Sequence, residues 1–219
     1  VPDLTLPQGE IIGIIGNNGA GKSTFARCLC GLDKRALGEL ELNGHSYRAK
    51  QRCHISYMVM QDVNHQLFTE DVLDELLLSM DGEDEKENTE WANQILSSLD
   101  LAAKIKLHPM SLSGGEKQRV AIGSAIASNK EILVFDEPTS GLDYFHMVEV
   151  SDNLNRLKDM GKSLFLITHD PELIYKCCTY LLLIQENKVL WHRPMDDEAI
   201  KLLRAFFSHE KGANIINAS

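Results

Sequence analysis

The sequence lacks any apolar segment long enough to cross a membrane. Its apolar runs are short: Leu181 to Ile184 and Ile132 to Phe135 have four residues each, whereas a membrane-spanning helix needs about 20. The first residues, Val1-Pro2-Asp3-Leu4, contain no basic stretch followed by an apolar segment, so they do not predict a secretory signal. We therefore expect a chain that resides in the cytoplasm and reaches a membrane only through a protein partner.

Positive charge is also scarce. The 22 basic residues are outnumbered by 32 acidic ones, for a formal net charge of −10, and this balance argues against a nucleic-acid partner or direct binding to anionic lipid. Six acidic residues lie between Asp81 and Glu90, with Lys86 as the one basic residue among them. This cluster is either a solvated surface segment or a cation site, and we favour the solvated segment.

The five cysteines are not spaced as metal ligands or as a disulfide framework. No two of them form a Cys-x-x-Cys pair, and the first two lie two residues apart on a predicted helix, where their side chains point in different directions. We predict that most of them are reduced and buried. They are Cys28, Cys30, Cys53, Cys177 and Cys178.

The first part of the chain predicts a strand, a glycine-rich loop and a helix. The apolar, β-branched run 10–15 ends in glycine, and residues 22–30 have the composition of a helix that Gly31 closes. Residues 39–42 then alternate polar and apolar side chains up to Asn43-Gly44, a strong hairpin signal. We expect a small antiparallel β lobe there.

The middle of the chain, at about residues 69–112, predicts a helical subdomain in which Thr69 and Thr89 are candidate helix N-caps. The second half alternates helices with two continuous apolar strands, 131–135 and 163–168. This pattern is typical of a parallel sheet that is covered on both faces. The predicted fold class is α/β, in a single domain over residues 1–219.

A phosphate-binding loop is the most specific motif in the sequence. The nine residues from Gly16 to Thr24 fit the P-loop pattern G-x-x-x-x-G-K-[ST]. In such a loop, glycines let backbone N–H groups surround phosphate oxygens, Lys22 bridges the terminal phosphates, and Ser23 can ligate Mg²⁺. A chance glycine-rich turn is the alternative, but the required strand and helix flank this loop. We predict nucleotide contacts from Asn17, Asn18, Gly19, Ala20, Gly21, Lys22, Ser23 and Thr24.

Two adjacent carboxylates follow the apolar strand 131–135. Asp136 stands where such a strand reaches the carboxyl edge of its sheet, the usual place of ligand sites, and it is our candidate to hold Mg²⁺. Glu137 points elsewhere and is the candidate to polarise the water that attacks the γ-phosphate. On its own, such a pair is more often a solvated turn or a helix cap.

The segment Ser113-Gly114-Gly115-Glu116 opens a predicted helix. Its exposed N-terminus either meets an anion or is an ordinary N-cap without a ligand, and the order of the motifs along the chain favours the anion. Over almost its whole length the chain resembles the ATP-binding cassette (ABC) proteins, whose motifs occur in this order: P-loop, Gln61, Ser113-Gly114-Gly115-Glu116, Asp136-Glu137, Asp143 and His169.

The resemblance implies a P-loop NTPase core with a parallel sheet, a small antiparallel β lobe and a helical subdomain, and it implies an ATPase that uses ATP and Mg²⁺. Gln61 resembles the Q-loop glutamine that contacts Mg²⁺, His169 the switch histidine at the γ-phosphate, and Asp143 the D-loop aspartate at the subunit boundary. Residues Ser113 to Glu116 resemble the signature motif of this family. In the family, the signature motif of one subunit closes over ATP that another subunit holds. The expected partner is a second cassette, in a homodimer, a heterodimer or a tandem polypeptide.

Two features depart from the family pattern. Glu116 stands where glutamine is commoner, a change that active members tolerate. The family stacks adenine on an aromatic residue upstream of the P-loop, yet no Phe, Tyr or Trp precedes Phe25. We infer a chain truncated at its N-terminus, in which the loss of base stacking weakens nucleotide binding by about 1–3 kcal/mol.

The segment from Gln61 to Phe68 is similar to the Q-D-x-x-x-Q-L-F pattern of energy-coupling-factor importer ATPases. This similarity implies a cassette at the cytoplasmic face of a membrane, bound to a transmembrane coupling subunit, that couples ATP-driven dimer closure to uptake of a vitamin or a transition-metal ion. The alternative is that Leu67 and Phe68 simply pack under the helical subdomain. It is compatible with the importer, because such packing would form the docking groove.

Two alternatives to the importer stay open. One is a soluble ABC ATPase of translation or DNA repair, which the acidic charge and the Q-L-F stretch oppose. The other is a cassette that binds ATP only to hold a dimer together, which the intact Glu137 and His169 oppose.

Overall fold

The computed structural model describes residues 3–33, 36–82 and 84–216, with side-chain positions up to residue 208. Its strands are β1 (Ile11–Ile15), β2 (Leu40–Leu42), β3 (His45–Tyr47), β4 (Ser56–Val59), β5 (Ile132–Asp136), β6 (Ser163–Ile167), β7 (Tyr180–Gln185) and β8 (Lys188–Pro194). Its helices are α1 (Lys22–Leu29), α2 (Ala49–Arg52), α3 (Val72–Leu77), α4 (Glu85–Ser98), α5 (Gly114–Ala127), α6 (Tyr144–Asp159), α7 (Pro171–Cys177) and α8 (Asp197–Ile216). Short 3₁₀ turns lie at Val63–His65, Ala102–Lys104 and Pro109–Ser111.

Six strands form one sheet in the order β4-β5-β6-β1-β7-β8. Neighbours from β4 to β7 pair in parallel, and β8 pairs antiparallel with β7. Every residue of β1, β5 and β6 is buried. Their apolar sequences are continuous because a parallel sheet with both faces covered leaves no strand position in water. The predicted parallel sheet is confirmed.

Alternate side chains of these strands enter two separate cores. Along β1, Ile11 and Ile15 face one core, while Ile12 and Ile14 face the other. The larger core lies under α3 to α8, and the smaller core lies under α1 and the β2–β3 hairpin, where Leu42 is buried. The strand ends that carry the site are therefore held from both faces of the sheet.

The predicted β lobe is the antiparallel hairpin of β2 and β3, which turns at Asn43-Gly44 with left-handed φ angles of 52° and 74°. Arg52 ties this lobe to the core and is only 6% exposed. Its guanidinium donates to Cys28 O near the end of α1 (2.9 Å), to Gly38 O (2.7 Å) and to Tyr47 O of β3 (3.4 Å). One buried side chain thus joins three segments of backbone.

The predicted helical subdomain contains α3 and α4, which pack against each other and against α5. The predicted N-caps are wrong, because Asp71 caps α3 and Asp84 caps α4 by accepting N–H groups of the first helical turn. The hydroxyl of Thr69 instead donates to Glu75 Oε2 (2.7 Å). Thr89 lies inside α4, where its hydroxyl donates to the carbonyl group one turn earlier (2.6 Å).

The hairpin of β7 and β8 was not predicted from the sequence. Its two strands pair antiparallel, and its turn residues Glu186 and Asn187 have left-handed φ angles of 50° and 60°. α8 follows this hairpin and places Ala199 and Leu203 in the larger core. Within the described ranges, no helix combines the length and the apolarity that a bilayer crossing requires.

We predict that Arg52→Met destabilises the protein by about 3 kcal/mol, because it leaves buried carbonyl oxygens without their charged donor. The matched control is Arg48→Met, since Arg48 is exposed and pairs with Glu39 at 3.7 Å, a contact worth less than about 1 kcal/mol. Urea unfolding followed by circular dichroism measures both variants. Equal losses in the two would contradict the role of Arg52 as the tie between lobe and core.

Candidate functional site

Four parallel strands end at the same edge of the sheet. The P-loop follows β1, Gln61 follows β4, Asp136 ends β5, and His169 follows β6. The carboxyl edge of a parallel sheet is the usual ligand site in such folds. The resulting cleft is lined by the P-loop from Asn18 to Thr24 and by Gln61, Asp136, Glu137, Ile167, His169 and Asn187.

The P-loop wraps around the amino group of its own lysine. Lys22 Nζ donates to Gly16 O (2.6 Å) and to Asn17 O (3.1 Å), and it lies 3.4 Å from His169 Nε2. Gly21, the N-cap of α1, has a φ of 101°, in the left-handed region that side chains rarely adopt. The first turn of α1 presents N–H groups and partial positive charge to the cleft. Asn17 contributes its carbonyl group and does not line the cleft.

Asp136 and Ser23 lie together and are suited to hold a cation. Asp136 is 6% exposed, and the Ser23 side chain hydrogen-bonds to it. Burial raises the pKa of Asp136, while this hydrogen bond and the charges of Lys22 and His169 act in the opposite direction. Mg²⁺ prefers oxygen ligands, and Gln61 brings an amide oxygen to the same cleft. This donor set fits Mg²⁺ that is shared with nucleotide phosphates.

Glu137 adopts an uncommon backbone conformation, with a φ of +52°. Its Oε2 accepts from Thr168 Oγ1 (3.3 Å) and from His169 N (3.4 Å). Its Oε1 is buried, lies 3.7 Å from His169 Nε2, and has no hydrogen-bond partner among the residues that the structure describes. Burial raises the pKa of Glu137, and the adjacent His169 opposes that shift. The cleft therefore contains a basic acceptor with unused hydrogen-bonding capacity.

The predicted signature forms a capping box at the start of α5. Ser113 Oγ accepts from Glu116 N (3.3 Å), and Glu116 Oε2 accepts from Ser113 N (2.8 Å). This second bond lowers the pKa of Glu116. Ser113 and Gly114 are exposed, and none of the residues from Ser113 to Glu116 lines the cleft as the structure describes it. The helix start lies on the surface of the molecule and outside the cleft of its own chain.

Asp143 also lies outside the cleft and is the N-cap of α6. Its carboxylate accepts from His146 N (3.0 Å) and contacts His146 Nδ1 (2.8 Å). The backbone bond is the main cause of the lowered pKa of Asp143. The preceding residue, Leu142, packs against α5, since a Cβ added to Gly115 would lie 3.0 Å from Leu142 Cδ2. The segment that carries Asp143 is therefore in direct contact with the signature helix.

The segment after Gln61 contains a glutamine that hydrogen-bonds to two backbone groups, and an exposed aromatic side chain. Gln66 Oε1 accepts from Met60 N, and Gln66 Nε2 donates to Met58 O, both at 2.7 Å. Gln66 thereby holds the end of β4. Leu67 is buried, but Phe68 is 72% exposed. The alternative interpretation, in which both residues simply pack under the helical subdomain, is wrong for Phe68.

Asn187 lines the cleft and was not among the predicted site residues. It lies in the turn between β7 and β8, and its N–H donates to Ala20 O of the P-loop (2.9 Å). The turn carries Glu186-Asn187 instead of the Asn-Gly or Asp-Gly pair that usually signals a hairpin. Nothing in the local sequence indicates that this turn meets the P-loop.

The sequence of this chain is similar to those of known proteins. Residues 2–140 match the family model described as ABC transporter. A Treponema denticola protein with the provisional name ABC transporter ATP-binding protein is 45% identical over 83% of this chain and 36% of its own length. The methionine import ATP-binding protein MetN of Bacillus subtilis is 36% identical over 85% of this chain and 57% of its own length. The chain thus spans little more than a third of the first relative and just over half of the second.

Solved structures agree with the fold. The dimeric ATP-binding cassette MJ0796, in a post-hydrolysis state bound to ADP and Pi, superposes with a TM-score of 0.77 at 25% identity and covers 88% of either chain. The protein cbiO1 from Clostridium perfringens, part of the ABC transporter complex cbiONQ, has a TM-score of 0.75 at 23% identity, over 91% of this chain and 83% of its own. The predicted fold class is confirmed.

We predict that Glu137→Gln stabilises the nucleotide-free protein near neutral pH. Because folding raises the pKa of Glu137, the folded state holds this proton more tightly than the unfolded state does, and that contribution to stability is lost as the pH rises through the folded pKa. The advantage of the variant should grow from about pH 4, where carboxyl groups ordinarily titrate, toward neutral pH.

Thermal unfolding across this pH range measures the difference, with exposed Glu41 replaced in a Glu41→Gln control. A difference between Glu137→Gln and the unsubstituted protein that stays constant with pH would contradict the raised pKa of Glu137.

Proposed function

Because the chain belongs to the ABC transporter family, we propose that it is the ATP-hydrolysing cassette of such a transporter. One observation carries this proposal: Glu137 Oε1 is a buried acceptor without a partner among the described residues, 3.7 Å from His169 Nε2, in a cleft built on a P-loop. A cassette that only bound ATP would need the P-loop but not this pair. The presence of both the carboxylate and the histidine beside the P-loop supports a cassette that hydrolyses ATP.

The P-loop supplies the binding of ATP in this proposal. Backbone N–H groups at the start of α1 and the amino group of Lys22 offer positive charge to the phosphates. Ser23, Asp136 and Gln61 would hold Mg²⁺, which neutralises charge on the β- and γ-phosphates. The site thereby binds the phosphate chain through charge and backbone, and orients its γ-phosphate toward the ends of β5 and β6.

Glu137 then accepts a hydrogen bond from the attacking water. A poorly solvated carboxylate is a stronger base than an exposed one, and its second oxygen is already held by Thr168 and the backbone of His169. As the water oxygen bonds to the γ-phosphorus, its proton passes to Glu137 and the bond from this phosphorus to the bridging oxygen breaks, which yields ADP and inorganic phosphate. His169 Nε2 lies between Lys22 Nζ and Glu137, where it reports on the γ-phosphate.

Two copies of the cassette complete the proposed site. The start of α5 is exposed, with Ser113 and Gly114 at the surface, and it is suited to an anion because a helix N-terminus carries partial positive charge. This anion would be the nucleotide held by the P-loop of a second cassette. Asp143, packed beside α5 through Leu142, would lie at the same boundary.

We further propose that the transporter is an importer of the energy-coupling-factor type, which takes up a vitamin or a transition-metal ion. The similarity to MetN supports an importer, and the Q-D-x-x-x-Q-L-F segment supports this type. Phe68, exposed beside the helical subdomain, is the side chain we assign to contact with a transmembrane coupling subunit. The cassette would then sit at the cytoplasmic face of the membrane without entering it.

We predict that Glu137→Gln lowers ATP turnover at least about 100-fold, the usual contribution of a general base, while ATP binding is retained. The variant should accumulate as an ATP-dependent dimer in size-exclusion chromatography, because closure no longer leads to hydrolysis. Glu41→Gln, at an exposed position of β2, is the control and should keep full activity. Turnover in Glu137→Gln equal to that of this control would refute the proposed role.

Substitution of Phe68, the proposed contact with a transmembrane subunit, tests the importer function. We expect affinity-tagged cassette to retain a polytopic membrane protein from detergent-solubilised membranes of the source cells, and Phe68→Ser to lose it while ATP turnover by the isolated cassette stays unchanged. Leu190→Ser, which removes a side chain that is 55% exposed on β8, is the matched control and should retain the partner. Salt-sensitive retention of ribosomes or DNA instead would support the soluble ABC ATPase.

A further inference from the structure

The turn between β7 and β8 forms one wall of the cleft. Asn187 N donates to Ala20 O (2.9 Å), and Asn187 Oδ1 approaches Gly21 so closely that a Cβ at Gly21 would lie 2.5 Å from it. The φ of Asn187 is +60°, a conformation that asparagine tolerates better than most residues. Asn187 therefore contacts the two P-loop residues that immediately precede Lys22.

The sheet order tells which end of a nucleotide this turn faces. β5 and β6, whose ends carry Glu137 and His169, lie on one side of β1, whereas β7 and β8 lie on its other side. Hydrolysis takes place at the γ-phosphate, so that phosphate belongs on the side of Glu137 and His169. The phosphate chain crosses the P-loop at the end of β1, and the α-phosphate and ribose then lie toward the β7–β8 turn.

We propose that Asn187 is a nucleotide-binding residue that contacts the α-phosphate and ribose end of ATP. This inference rests on the proposed function, since it requires ATP in this cleft. The carboxamide of Asn187 is exposed and makes no hydrogen bond within the described part of the chain. It is neutral, offers donors and an acceptor, and is held in place because its own backbone is bonded to the P-loop.

Two substitutions distinguish the role of the Asn187 side chain from the role of the turn's backbone. Asn187→Asp keeps the size, the left-handed preference and the backbone N–H, but it places a negative charge beside the phosphates. Asn187→Gly keeps the backbone conformation and the N–H and removes the carboxamide. The matched control is Asn43→Asp, which introduces the same charge at another left-handed asparagine (φ 52°) in the β2–β3 turn, outside the cleft lining.

Binding of MgATP and MgADP is measured by titration calorimetry in the Glu137→Gln background, which prevents turnover. We expect Asn187→Asp to weaken both nucleotides by about tenfold through charge repulsion, with an effect that shrinks as salt is added. Asn187→Gly should weaken both by about threefold, from the loss of one neutral hydrogen bond, and Asn43→Asp should change neither. With Glu137 intact, the Asn187 variants should raise KM and leave kcat unchanged, because the contact is made equally before and during reaction.

Several outcomes would overturn this inference. Unchanged affinity in Asn187→Gly would do so even if Asn187→Asp failed to fold. A loss confined to MgATP would place the residue at the γ-phosphate instead, and a loss of thermal stability without a salt-dependent loss of affinity would reduce Asn187 to a structural role. If the background protein with Asn187 intact bound neither nucleotide, the proposed function itself would be wrong.

Discussion

Parallel pairing of β1 with β6, and of β6 with β5, sets the geometry on which the site depends. Strands that run in the same direction release their following loops at one edge of the sheet. Lys22 and His169, which are 147 residues apart in the chain, come within 3.4 Å of each other for this reason. Both faces of these strands are buried, and a slip of one residue would exchange the side chains of the two cores. Core packing therefore fixes the positions of the reactive groups.

The site places charge where burial disfavours it. Asp136 and Glu137 both have a raised pKa because of burial. The hydrogen bond from Ser23 and the charges of Lys22 and His169 offset only part of that effect at Asp136, and the charge of His169 offsets only part of it at Glu137. The left-handed backbone at Glu137 adds local strain of about 1 kcal/mol, and its Oε1 is left without a partner among the described residues. These features lower the stability of the fold and are the ones that the proposed hydrolysis would use, as in other sites where activity and stability compete.

Elements with a fixed chemical pattern could be predicted from the sequence, and contacts between distant segments could not. The P-loop, the acidic strand end and the buried strands follow from spacing and composition alone. Thr69 and Asp71 are both acceptable N-caps by residue type, and the choice between them depends on the buried Glu75 that engages Thr69. Phe68 is apolar but exposed, whereas the adjacent Leu67 is buried. Which of these two side chains faces the core depends on how the helical subdomain packs, and their residue types do not reveal this. Asn187 reaches the cleft only through the pairing of β7 with β1.

The segment that carries Phe68 is held at both ends, and this arrangement links the proposed membrane contact to the cleft. On one side Gln66 bonds to Met58 O of β4 and to Met60 N just after this strand, which leads to Gln61. On the other side Glu75 Oε2 accepts the N–H groups of Phe68 (3.0 Å) and Thr69 (3.1 Å). Glu75 belongs to α3, so a partner that displaces Phe68 must move the helical subdomain or disturb the end of β4. Only a few residues separate the hydrogen bonds of Gln66 from those of Glu75. A membrane partner that moves Phe68 would therefore act on the nucleotide site through this short segment alone.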